Sequence, residues 1–130
     1  MGDHSSRVQW TQYKGKRILF VDFSNILEEA AYLKAIEELE VEIFKLPKEH
    51  QSLILIDQSG SIASKAVTDR SKQMMAAAKK KGIPDSPTAL VGNTGFSKAV
   101  ALAIQFFRPD IYLADDVEAA KEWLINRATD

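Results

Sequence analysis

The stretch Ile18-Leu19-Phe20-Val21-Asp22-Phe23, followed by Ser24-Asn25, decides the fold. It is apolar almost throughout, as a strand reads when both of its faces are covered in a parallel sheet. Upstream, Val8 to Tyr13 (VQWTQY) alternates Val8, Trp10 and Gln12 against Gln9, Thr11 and Tyr13, and Lys14-Gly15-Lys16 separates it from the apolar run. That pattern predicts a hairpin whose second strand lies deep in a sheet. Downstream, Ser24 or Asn25 is expected to cap a helix beginning near Ile26, with Glu28 and Glu29 in the first turn, where negative charge complements the helix dipole. Ile26, Ala30, Leu33, Ile36, Leu39, Ile43 and Leu46 recur in steps of three and four along one helical face, and Pro47 stops the helix.

The same alternation of strand and helix continues to the end of the chain. Ser52 to Ile56 (SLILI) is a second buried strand, broken by the turn formers Asp57-Gln58-Ser59-Gly60-Ser61. A helix from about Ser64 to Lys81 carries Val67, Ser71, Met74 and Ala78 on one side and ends at Gly82. Thr88 to Val91 (TALV) is the next buried strand. Gly92-Asn93-Thr94-Gly95 leads from it to an apolar helix over Phe96 to Phe107, which Pro109 ends. Ile111 to Leu113 is a last short strand, and Asp115 with Glu118 is expected to form a capping box for a final helix bearing Val117, Ala120, Trp123 and Leu124. The order β-β-α-β-α-β-α-β-α predicts a single-domain α/β fold: a mixed, mainly parallel sheet with flanking helices and one antiparallel strand from the opening hairpin. Residues 1–7 are expected to form a disordered N-terminal segment and 8–128 the domain. No internal repeat is evident, and the strand order stays open.

Composition narrows the function. With 130 residues, 45% hydrophobic and 27% charged, the chain suits one domain with a moderate core. A net charge of -1 argues against the broad electropositive surface of nonspecific nucleic-acid binding, and the basic second helix lacks interleaved aromatics. Cysteine is absent, which removes disulfides and thiol chemistry and suits a cytoplasmic setting. The two histidines, His4 and His50, are far apart in sequence. The longest apolar stretch, Ala99 to Ile104, is far short of the roughly 20 residues that span a bilayer. No membrane span and no cofactor are expected.

In open α/β sheets ligands gather outside the carboxyl ends of the strands, so the loops there hold the candidate residues. These are Asp22, Ser24 and Asn25; Asp57, Ser59, Gly60 and Ser61; and Asn93 and Thr94, with Ser97 and Lys98 opening the next helix. The same residue types also serve as ordinary turn and cap formers. No phosphate-loop, dinucleotide or serine-hydrolase spacing is present, and His50 lies at the opposite end of its strand from Ser59. Asp22 and Asp57 together suit a magnesium or phosphoacceptor site, the least favoured reading. Charge is segregated: Ser24 to Leu46 holds six glutamates against two lysines, whereas Ser61 to Gly82 holds five lysines and Arg70 against Asp69. Such faces can attract each other or steer a partner.

Four segments in this order resemble the STAS domains, in particular their SpoIIAA-like branch, also described as STAS/CRAL-TRIO-like. They are Tyr13-Lys14-Gly15-Lys16 leading into Ile18 to Phe23, Leu55-Ile56-Asp57, Ala89 to Lys98 (ALVGNTGFSK), and Val117 to Leu124 (VEAAKEWL). The resemblance spans nearly the whole chain and implies a four- or five-stranded mixed sheet with helices. In regulatory STAS proteins a serine after the third strand, at the start of the following helix, is phosphorylated by a partner kinase. Ser59 in Asp57-Gln58-Ser59-Gly60 matches that position, although Gln58 replaces a serine and Ser61-Ile62 departs from the usual pattern. The resemblance therefore implies a non-enzymatic regulatory module acting through protein contact, with Ser59 as a phosphorylation candidate and a kinase or regulator as partner. The alternative it implies is a small apolar ligand or lipid, held by the sheet and the apolar helix from Phe96.

Overall fold

The computed structural model describes residues 7–92, 102 and 110–127. In chain order it contains β1 (Val8–Tyr13), β2 (Lys16–Asp22), α1 (Glu29–Ile43), β3 (Ile54–Asp57), α2 (Lys65–Lys80), β4 (Thr88–Val91), β5 (Tyr112–Ala114) and α3 (Val117–Arg127). The five strands form one sheet in the order β1-β2-β3-β4-β5. β1 runs antiparallel to β2, and all other pairs are parallel. This is the mixed, mainly parallel α/β sheet predicted. The helix expected over Phe96 to Phe107 lies outside the described residues except for Leu102.

Local chemistry explains most element boundaries. The two-residue turn between β1 and β2 has positive φ at both Lys14 (51°) and Gly15 (84°), the mirror-image turn whose twist matches that of a hairpin. α2 starts at the Ser64 cap, whose side chain accepts from Val67 N–H. It ends with Gly82 N–H on the Lys79 carbonyl and Ile83 N–H on the Ala78 carbonyl, a closing pair that requires positive φ at Gly82 (84°).

Two expected caps are corrected. α1 begins at Glu29 behind Glu28, with no side-chain cap, because Ser24 and Asn25 are spent in a turn and Asn25 has φ 56°. At α3 the side chain that accepts from Ala119 N–H, 2.7 Å away, belongs to Asp116 rather than Asp115. Glu118 then falls one residue short of the capping-box position.

Strand alternation divides the core between the two faces of the sheet. On one face Leu19, Val21 and Ile54 pack with Tyr32, Ala35, Ile36, Leu39 and Ile43 of α1 and Val67 and Met74 of α2. On the other, Ile18, Leu55, Ala89, Val91 and Ala114 pack against Ala120 and Leu124 of α3. Right-handed crossovers that step across a sheet in one direction put their helices on one side, and α1 and α2 do share a side. α3 is not a crossover between two of the described strands, and it covers β3, β4 and β5 from the other face.

One pair of opposite charges joins the first two helices: half-buried Arg70 on α2 holds Glu40 on α1 with bonds of 2.6 and 3.3 Å. The exposed Ser64 hydroxyl adds a bond to Glu29. No described helix is long and apolar enough to cross a membrane.

Candidate functional site

β2, β3 and β4 end in register, with Asp22 beside Asp57 and Asp57 beside Val91. The two aspartates build the same turn. Asp22 Oδ1 accepts from the backbone N–H of Ser24 at 3.1 Å and from its hydroxyl. Asp57 Oδ1 accepts from Ser59 N–H at 2.9 Å and from the Ser59 hydroxyl at 2.6 Å. A residue with positive φ follows each, Asn25 at 56° and Gly60 at 72°. Asp-x-Ser-(Asn/Gly) is thus a four-residue local repeat, 35 residues apart, visible in the sequence though too short to form a structural repeat.

The turns also bond to one another, extending the ladder past the strands. Phe23 N–H donates to the Asp57 carbonyl and Asn25 N–H to the Ser59 carbonyl, both at 2.8 Å, and Gln58 N–H reaches the Val91 carbonyl at 2.9 Å. Ser61, 4% exposed, donates its hydroxyl to the Phe23 carbonyl and accepts from Ile26 N–H at 2.9 Å. The loops approach so closely that a Cβ on Gly60 would stand 2.5 Å from Asn25 Oδ1, and one on Gly92 2.5 Å from Ser59 Cα. Arg7, which the sequence reading leaves in the N-terminal segment, caps this rim: its guanidinium donates to the carbonyls of Asp22 (3.0 Å) and Ser24 (3.4 Å).

Asp22, Ser24, Asn25, Asp57, Ser59, Gly60 and Ser61 therefore lie together, as expected, with their polar groups largely turned on each other. Asn93, Thr94, Ser97 and Lys98 lie outside the described residues. One expectation about Ser59 changes. α2 starts at Lys65 behind the Ser64 cap, so Ser59 lies five residues upstream of that cap, and a phosphate on it would stand beside the Asp57 carboxylate rather than at the helix amides. Among the described residues no three acidic or histidine side chains are grouped to hold a metal ion.

The strand order gives the described part of this rim no switch point. A crevice forms where the strand order reverses direction, and from β2 to β5 the order never reverses.

A concave site lies between the sheet and the pair α1 and α2. A cavity of about 360 Å³ is bounded by β3 (Ile54, Ile56) and Gln58 beyond it, by β4 (Thr88, Leu90), and by side chains of both helices. Its deep end holds Phe23, Tyr32 and Gln58, which are 4%, 3% and 3% exposed. Ala76, Lys79, Asp85 and Asp110, all exposed, line its other end, near the amino-terminal ends of β4 and β5. Burial pushes the Tyr32 phenol up to about 12, so it keeps its proton and its capacity to donate at neutral pH. Met74 and Met75, which read as core filler, are wall residues here, and the thioether chain adapts readily to an occupant. Part of the signal was available: of the wall residues, Leu39, Ile43, Leu46, Met74 and Ala78 sit on the apolar stripes read from sequence. Periodicity places such residues inward but does not say that the space between them is left open.

Neither a protein-family model nor a curated protein matches the chain.

Proposed function

We propose that this protein is a non-enzymatic binding module that holds a small, mainly apolar molecule between its sheet and the helices α1 and α2. The cavity of about 360 Å³ carries this reading. Its volume falls within the range of small-molecule sites, and its lining combines apolar walls with polar groups, among them the buried Tyr32, Gln58 and Thr88. A cytoplasmic setting accords with a chain that has no cysteine.

Native mass spectrometry of gently purified protein tests the proposal together with titration of a hydrophobic fluorescent probe. The expected results are a retained small molecule, probe uptake by the stripped protein, and loss of both in Ser71→Phe, which fills the cavity from α2. A stripped protein that takes up no probe refutes the reading.

A second reading, protein contact at the rim in the manner of STAS regulators, is favoured by a different observation. Leu27 and Ile62 are 65% and 46% exposed, and the bond from Ile62 N–H to the Ile26 carbonyl at 2.9 Å draws their loops together beside the twin turns. An apolar pair next to self-satisfied polar groups suits the core of a docking patch. Phosphorylation of Ser59 would remove its bond to Asp57 and set about two negative charges against that carboxylate, opening the turn. On this reading the double variant Leu27→Asp, Ile62→Asp loses partner binding with the fold intact, and Ser59→Asp changes partner affinity. Unchanged affinity in both removes it.

A further inference from the structure

We propose that two copies of this chain pair through Trp10 and Gln12 on the outer edge of β1, antiparallel, about a two-fold axis at Thr11. The proposal is independent of the cavity and of the rim. β1 is an outer strand of the sheet.

Its hydrogen-bonding parity follows from the hairpin. Tyr13 faces Lys16 across the two-residue turn, and at the far end Asp22 N–H donates to the Arg7 carbonyl at 2.7 Å. Odd-numbered residues therefore bond inward to β2, and Val8, Trp10 and Gln12 turn their N–H and carbonyl groups outward. Val8 has a further partner of its own. Trp10 and Gln12 supply two outward donors and two outward acceptors, the spacing at which another strand adds.

Within β1 itself three devices that keep edge strands apart are absent. From Val8 to Tyr13 there is no charge and no proline, and the register with β2 runs without a bulge. Trp10 is 39% exposed, with the Arg17 guanidinium 4.3 Å from its ring centroid.

A second copy fits this edge. In the two-fold pairing each Trp10 stands opposite the other copy's Gln12, so the two pairs together form four main-chain bonds that use the outward groups of these residues and no others. Thr11 then faces Thr11, a favourable cross-strand pair, while Lys14 faces Val8 and Gly15 faces Arg7, so no like charges are opposed. By contrast β5, at the opposite end of the sheet, has only three residues. The result is one continuous sheet of ten strands with α1 and α2 of both copies on the same side.

The absence of cysteine makes a direct test possible. Thr11→Cys places two thiols across the axis, where facing residues are about 5 Å apart. Gln9→Cys, on the same side of the strand, places them roughly 13 Å apart, beyond disulfide reach. Mild oxidation is expected to cross-link Thr11→Cys and spare Gln9→Cys, and light scattering of the wild type at high micromolar concentration is expected to give twice the monomer mass. Gln12→Pro removes an N–H that only the pairing uses, since proline is tolerated at an outward edge position. It is expected to be monomeric with an unchanged circular dichroism spectrum. If it does not fold, the two cysteine variants still decide. A wild type that stays monomeric, equal cross-linking of both variants, or cross-linking of Trp10→Cys in preference to Thr11→Cys overturns the proposal.

Discussion

Replacing Ser61 by alanine tests whether the rim is held together or merely assembled from adjacent loops. The hydroxyl serves two backbone groups of the first loop, the Phe23 carbonyl and the Ile26 N–H, and both residues are under 5% exposed. Alanine leaves both groups in place with water excluded. Each orphaned group costs about 1–3 kcal/mol, so the variant is expected to lose about 3 kcal/mol in all. Against a typical total of about 5–15 kcal/mol that is a substantial fraction. With a urea dependence of about 2 kcal/mol per molar, the unfolding midpoint should fall by roughly 1.5 M. Ser61→Cys keeps the volume and a weaker donor and should fall between alanine and wild type. Urea unfolding followed by tryptophan fluorescence and by far-ultraviolet circular dichroism measures the shift and checks that the transition is a single one. A loss under about 0.5 kcal/mol for Ser61→Ala would refute the argument that this side chain latches the β2 loop to the β3 loop.

Other expectations follow from single contacts. Gly92→Ala forces a Cβ against Ser59 backbone at a residue with φ 85°, and should cost about 3 kcal/mol in the same urea assay. Asp116→Ala removes the cap of α3 and should cost about 1 kcal/mol, whereas Asp115→Ala should cost less than half as much; the reverse order would restore the cap read from sequence. For Tyr32, the phenol titrates near 12 when folded against 10 when free, so the folded state holds the proton more tightly. The stability tied to that proton, roughly 3 kcal/mol, is complete below pH 10 and lost as the pH rises through 12. Tyr32→Phe should lack this loss, which unfolding curves between pH 9 and 12 will show as a converging difference between the two proteins.

Much of the fold is legible in single segments. The hairpin VQWTQY-KG-KRILFVD needs only a period of two and a turn with two positive φ angles, and the structure places its strands at Val8–Tyr13 and Lys16–Asp22. α2 is equally plain, because Ser64 caps one end and Gly82 closes the other. α1 is less so. Its stripe is correct from Ile36 onward, but its start is not, since Ser24 and Asn25 look like caps in sequence and act as turn residues in space. A cap and an Asx turn use the same residue types, and the distinction depends on what the next loop offers as a partner.

Sequence alone determined the alternation of strand and helix, the buried character of the central strands and the identity of the polar turn residues, because these follow from side-chain period and local hydrogen bonding. Tertiary structure alone decided three things. It set the strand order, which runs from β2 to β5 without a reversal. It put α3 on the face opposite α1 and α2. It left a cavity where inward-facing apolar residues of two helices meet the sheet. All three depend on contacts between residues distant in the chain, and a one-dimensional pattern records which side of an element is apolar but not which surface meets it or how closely the two fit.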